Sequence, residues 1–207
     1  MSDPIQPSAP DFATRDSNSP EFWDERFERG FMPWDQAGAP SAFRAFAGRH
    51  PGAAVLIPGC GSAYEAAWLA GQGSLVRAID FSPAAVAAAQ KQLSAQHAHL
   101  VEQADFFTYE PPFAPAWIYE RAFLCTLPLT RRADYAKRMA DLLPAGALLA
   151  GFYFIGVTPK GPPFGIERAE LDALLTPYFG LIEDETVSDS IAVFAGRERW
   201  LTWRRRG

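Results

Sequence analysis

Residues 54–70 read AVLIPGCGSAYEAAWLA. The run Ala54-Val55-Leu56-Ile57 is continuous, apolar and short, the pattern of a strand buried on both faces. Pro58, Gly59 and Gly61 interrupt it, and the alanine-rich stretch at 63–70 has strong helix formers. Strand, glycine turn and helix in that order open a βαβ unit, and the pattern repeats outward. Residues 75–79 form a second buried strand, and 83–96 a helix with Ser82 as N-cap and Pro83 in the first turn. Strands follow at 99–102, 117–124 and 147–154, with a helix at 131–142 between the last two. This alternation indicates a doubly wound, mostly parallel α/β sheet. After a helix at 167–175, the apolar segments 181–187, 191–194 and 200–204 have no helices between them, so the sheet is expected to finish antiparallel.

Upstream, Ser19-Pro20 signals a helix start with Glu21 and Asp24 in its first turn, and that helix should end near Gly30. A second amphipathic helix is expected at 41–48, with Phe43, Phe46 and Ala47 on one face. Residues 1–18 (MSDPIQPSAPDFATRDSN) have only Ile5 and Phe12 as large apolar groups, so a flexible N-terminal arm is expected, followed by one domain over 19–207.

The 207 residues suit a single core, and 48% hydrophobic with 21% charged residues is a globular composition. The 19 Lys+Arg against 24 Asp+Glu leave a net charge of −5, which repels phosphate backbones, so no nucleic-acid partner is expected. Arg204-Arg205-Arg206 reads as a solvated tail. Cys60 and Cys125 are isolated, outside any metal-ligand spacing, and read as packing residues in a reducing compartment. No leader or membrane span is evident. The expectation is a cytoplasmic monomer without a metal.

In a doubly wound sheet the ligand lies beyond the carboxyl ends of the strands at the switch point, which directs attention to residues 58–62. Gly59 and Gly61 permit close backbone approach, and the following helix offers free N–H groups. Asp80 ends the second strand, 21 residues after Gly59, where an acid accepts hydrogen bonds from ribose hydroxyls. A nicotinamide dinucleotide and an S-adenosyl nucleoside both fit so far. The dinucleotide fingerprint wants a third glycine where Tyr64 stands, which weakens a reductase. Asp105 and Phe106, after the third strand, could bond and stack on an adenine.

Six segments in order resemble the thiopurine S-methyltransferase family, including its plant thiol and halide methyltransferases. They are FWDERFERGFMPWDQ (22–36), VLIPGCGSAYEAAWLA (55–70), AIDFSPAAVAAA (78–89), ADFF (104–107), IYERAFLCTLP (118–128) and KGPPFGIERAEL (160–171). The PWDQ and GPPF segments are the specific ones. The resemblance implies a Rossmann-like, seven-stranded sheet and S-adenosyl-L-methionine as methyl donor. It implies cofactor contacts from Trp23, Phe27, Trp34, Gly59, Gly61, Asp80, Asp105, Phe106 and Arg121, and acceptor contacts from Trp34, Arg121, Pro163 and Phe164. Phe27 departs from the tryptophan of the plant relatives. Arg121 matches arginine in mammalian thiopurine enzymes and tyrosine in plant ones, so the acceptor stays open.

Physical chemistry supports an aromatic lining independently, since a sulfonium cation over an aromatic face gains about 0.5–2 kcal/mol. Trp23 and Phe27, four apart on one helix, share a face. A hydroxyl acceptor would need a strong base, and His50, His97 and His99 fall outside the site loops. A small thiol, partly ionised near pH 7, or another soft nucleophile such as a selenium or tellurium species or a halide, is therefore expected. A non-catalytic nucleoside-binding module on the same fold is the remaining alternative.

Overall fold

The computed structural model describes residues 10–207. The helices are α1 (Pro20–Glu28), α2 (Ser41–Gly48), α3 (Tyr64–Gly71), α4 (Pro83–Gln92), α5 (Arg132–Leu142) and α6 (Arg168–Leu175). The strands are β1 (Ala54–Pro58), β2 (Leu75–Asp80), β3 (Val101–Gln103), β4 (Trp117–Arg121), β5 (Leu148–Phe154), β6 (Phe179–Thr186) and β7 (Glu198–Arg205). Among the described residues they form one seven-stranded sheet in the order β3-β2-β1-β4-β5-β7-β6. The pairs from β3 to β5 are parallel, and β7 runs antiparallel to both β5 and β6. Successive strands leave β1 toward one edge and resume at β4 on its other side, so the switch point lies between β1 and β4.

The pleat sorts the core into two layers. Val55 and Ile57 of β1 pack with Phe43 and Phe46 of α2, Ala66 and Leu69 of α3 and Val86 and Ala89 of α4. Leu56 faces the other way, toward Tyr135 and Met139 of α5 and Leu171 and Leu175 of α6. Ser82 caps α4 by accepting from the Ala85 N–H at 3.0 Å.

Four expectations are corrected. The fourth strand stops at Arg121, because Ala122 takes φ +55° and breaks the extended backbone. Residues 191–194 are not a strand. Residues 192–194 form a 3₁₀ turn whose apolar side chains pack with Cys125 and Phe154, and so short an apolar run does not separate turn from strand. Arg204-Arg205-Arg206 is not a loose tail: Arg205 ends β7 and donates to the Ala140 carbonyl at 2.9 Å, and Arg206 donates to that of Phe179 at 3.0 Å.

The fourth concerns the N-terminal arm. Its residues 1–9 lie outside the described residues, but 10–18 are docked. Phe12 is buried beneath the Arg26 guanidinium, 4.1 Å from its ring centroid. The N–H groups of Ala13 and Thr14 both donate to the Glu25 carboxylate at 3.1 Å. Ser17 Oγ donates to the Thr126 carbonyl, and the Ser17 carbonyl accepts from Trp23 Nε1 at 2.9 Å. One buried phenylalanine and a string of backbone bonds to α1 thus order a segment whose composition reads as free.

Candidate active site

A cavity of about 950 Å³ opens over the carboxyl ends of β1, β2 and β4. Its floor is the loop after β1. Gly59 has φ +59°, and a Cβ there would lie 2.5 Å from the Phe123 ring, so only glycine fits. The Cys60 N–H donates to the Ile79 carbonyl at 3.0 Å, tying the loop to β2. The Gly61 N–H donates to Asp80 Oδ2 at 3.1 Å, and the Ser82 N–H to Asp80 Oδ1 at 3.0 Å. Each Asp80 oxygen therefore has one backbone partner and a lone pair to spare. Burial, with Asp24 nearby adding to it, raises the Asp80 pKa to about 6 against those hydrogen bonds.

The roof is aromatic. Trp23 and Phe27 project from one face of α1, and the chain returns to set Trp34 against both, with ring centroids 5.6 and 6.3 Å away. Phe27 reaches over the glycine loop, its Cζ 3.8 Å from where a Gly61 Cβ would stand. Two carboxylates fasten roof to floor: Asp35 accepts from Ser62 Oγ at 2.6 Å, and Asp24 from Ser82 Oγ and the Ala84 N–H at 2.5 and 2.9 Å.

On the β4 side, Arg121 Nη1 donates to Glu65 Oε1 at 3.1 Å, and the Tyr119 hydroxyl donates to the same oxygen at 3.2 Å. Glu65, in the first turn of α3, is 8% exposed, and burial raises its pKa despite the guanidinium. On the opposite face of β4, Glu120 is 1% exposed. Its Oε1 accepts from the Phe123 and Leu124 N–H groups and its Oε2 from the Tyr135 hydroxyl, at 2.9, 3.1 and 2.6 Å. These bonds hold the strained Ala122 turn and so place Phe123 over Gly59.

Burial raises the Glu120 pKa to about 7 from an ordinary 4.5. A carboxyl raised on folding stabilises below its unfolded pKa, and that stabilisation disappears as the pH climbs through 7. Relative to Glu120→Gln, the wild-type unfolding free energy should fall by roughly 3 kcal/mol between pH 4.5 and 8. Denaturant titrations of both proteins check this, and parallel pH profiles would contradict it.

Of the residues singled out from sequence, Trp23, Phe27, Trp34, Gly59, Gly61, Asp80, Asp105, Phe106, Arg121 and Pro163 all line this one cavity. Phe106 is buried edge-on against Phe123, at 5.1 Å between centroids, while Asp105 is exposed and accepts from the Phe107 N–H at 2.9 Å. Phe164 is the exception. It is absent from the cavity lining: its N–H donates to the Cys125 carbonyl at 2.6 Å, its ring packs against Gly161, and the residue borders a separate small void with Tyr153 and Phe154. That residue anchors the turn which presents Pro163.

Arg132, at the start of α5, is 5% exposed and braces the same turn, donating to the Gly165 carbonyl at 2.6 Å and to Glu170 at 2.7 Å. Sequence reasoning missed Glu65, Tyr119 and Phe123. Glu65 lies in an alanine-rich helix with no motif of its own, and its meaning depends on an arginine 56 residues away. None of the three histidines lines the cavity. Burial pushes both cysteine thiols up, which leaves them poor nucleophiles.

The strand order, with the switch-point cavity between β1 and β4, defines a Rossmann-like fold. The chain belongs to the thiopurine S-methyltransferase family, whose model matches residues 18–206, and is an S-adenosylmethionine-dependent methyltransferase. The protein named "Probable thiol methyltransferase 2" of Arabidopsis thaliana is 30% identical over 198 residues, covering 91% of this chain and 86% of its own. A thiopurine S-methyltransferase of Pseudomonas syringae pv. syringae is 26% identical over 205 residues, covering 86% and 93%. Among solved structures, the 1,6-didemethyltoxoflavin N1-methyltransferase of Burkholderia thailandensis superimposes with a TM-score of 0.74 at 17% identity over 99% of both chains, a likeness of fold alone.

Proposed function

We propose that this enzyme methylates the sulfur of a small, largely apolar thiol, with the donor held across the β3 to β4 rim of the cavity. The donor set fits S-adenosylmethionine. Asp80 has lone pairs free for ribose hydroxyls, Asp105 and Phe106 lie further along the rim for adenine, and Trp23, Phe27 and Trp34 are suited to a cation. When bound, that donor supplies an electrophilic methyl group on a positively charged sulfur.

The chain's own part is to orient and to dry. The docked residues 10–18 and α1 close one side of the cavity, and the 160–163 turn borders another. A thiolate stripped of water reacts more readily than a solvated one. The acceptor's wall is apolar, since Trp34 packs on a cluster of Cys125, Phe154, Ile191 and Phe194. The carboxylates lining the cavity have other tasks in this reading, Asp35 with Ser62, Asp80 with the glycine loop and the ribose, Glu65 with Arg121 and Asp105 with its own turn. The acceptor must therefore arrive ionised, its proton released to solvent, which favours thiols and other soft nucleophiles over alcohols.

The observation that carries this reading is the aromatic roof standing over the glycine loop within the cavity that also holds Asp80. An acceptor panel with methyl-labelled donor tests it: label should pass to neutral aryl or alkyl thiols, and transfer to alcohols or amines alone would overturn it. The reading includes a monomer, and two unpaired cysteines suit the cytoplasm. No helix among the described residues is long and apolar enough to cross a membrane. The charge balance disfavours nucleic acid as a partner.

A further inference from the structure

The donor reading uses the rim from β3 to β4 and leaves one wall of the cavity unassigned. That wall runs outward from Trp34 past Cys125. The Cys125 carbonyl accepts from the Phe164 N–H, which brings the 160–163 turn beside it, and Ile191 and Phe194 pack on Cys125 from the 191–194 turn. Trp34, Leu127, Pro162, Pro163, Val193 and Phe194 line the cavity along this stretch. The segments 125–130, 160–163 and 191–194 contain Lys160 as their single charged residue.

Val193 is the informative side chain. Its neighbours Ile191 and Phe194 are 5% and 4% exposed, whereas Val193 is 47% exposed and still lines the cavity. Leu129, 62% exposed, lies between Leu127 and Thr130, which line the same cavity. One exposed apolar residue is ordinary on a protein surface. Two of them continuing an apolar cavity wall form a path, and a hydrocarbon covering it removes apolar area from water on both partners. The volume leaves room for one, since about 950 Å³ is at the upper end for a ligand site.

Resting on the reading of this enzyme as a thiol methyltransferase, we propose that its acceptors carry a hydrocarbon tail lying along this path, from Trp34 outward over Val193, and that Val193 sets the preference for tail length. The sulfur then sits at the inner end beneath the aromatic roof.

Kinetics with straight-chain thiols from ethanethiol to hexanethiol test this. These thiols ionise alike, so the series varies the apolar contact alone. For the wild type, kcat/KM should rise about twofold per methylene, roughly half the effect of full burial, because the path is open on one side. The tail meets the same wall before and during methyl transfer, so the rise should come as a falling KM at nearly constant kcat. Val193→Asp should cost about tenfold on hexanethiol and at most twofold on ethanethiol, with the affinity for S-adenosylhomocysteine kept within twofold. Val193→Leu should keep the wild-type slope.

A flat wild-type series would overturn the proposal without any variant. Faster turnover of an equally long thiol ending in a carboxylate would also overturn it, since Lys160 would then be recognising charge. Equal losses on both thiols in Val193→Asp would make Val193 a structural residue only. Label transfer to no thiol at all would instead refute the thiol reading itself, and this proposal with it.

Discussion

Asp80→Ala should lower the affinity for S-adenosylhomocysteine about a hundredfold. A carboxylate accepting two hydroxyl donors in a buried setting loses charge-assisted bonds worth about 1.5–3 kcal/mol each when removed, and 2.8 kcal/mol corresponds to about a hundredfold. The same substitution frees the Gly61 N–H, whose bond to Asp80 joins the loop after β1 to β2. A change of threefold or less would remove Asp80 from the donor site.

The pH dependence gives a sharper signature. Burial raises the Asp80 pKa to about 6, and the ionised form accepts from both ribose hydroxyls more strongly than the protonated one. Below pH 6 the carboxyl is protonated, with its charge gone and one acceptor fewer, and binding to the ionised form costs a proton. The Kd of the wild type should therefore be flat above about pH 7 and rise about tenfold per unit well below 6. Asp80→Asn, which carries no titrating proton, should be weak and flat throughout.

Trp34→Ala is expected to reduce kcat/KM about thirtyfold. The ring contributes to the roof through Trp23 and Phe27 and covers the apolar cluster of Cys125, Phe154, Ile191 and Phe194. Loss of one face toward a desolvated cation costs up to about 2 kcal/mol, which is about thirtyfold. Because that attraction is for charge, the variant should lose more affinity for S-adenosylmethionine than for uncharged-sulfur S-adenosylhomocysteine, and Trp34→Phe should recover most of the difference. Equal losses for the two ligands would reduce Trp34 to a packing role.

The parts of this fold that sequence made legible are those with local causes. The apolar run at 54–57, the glycines after it and the Ser82 cap each determine their own neighbourhood, and the structure has β1, its turn and α4 where those signals lie. Asp80 was reachable by counting, because a βαβ unit has nearly fixed length. Trp23 and Phe27 were reachable by helical spacing.

What sequence reading missed depends on long-range partners. Phe12 looks isolated until Arg26 covers it, and Arg132 looks solvated until the carbonyls of the 164–165 turn surround it. Phe164 reads as part of a substrate mouth, yet the fold of its turn ties its N–H to Cys125 and packs its ring on Gly161, leaving it out of the cavity lining. Glu65 acquires meaning only when β4 brings Arg121 beside it.

The central claim is that one cavity over β1, β2 and β4 takes the adenosyl donor whole. A crystal structure of the protein grown with S-adenosylhomocysteine tests it most directly. Ribose oxygens are expected on Asp80, the thioether beneath Trp23, Phe27 and Trp34, and the amino acid end toward Arg121. A ligand bound elsewhere, or a cavity left empty at saturating concentration, would contradict it.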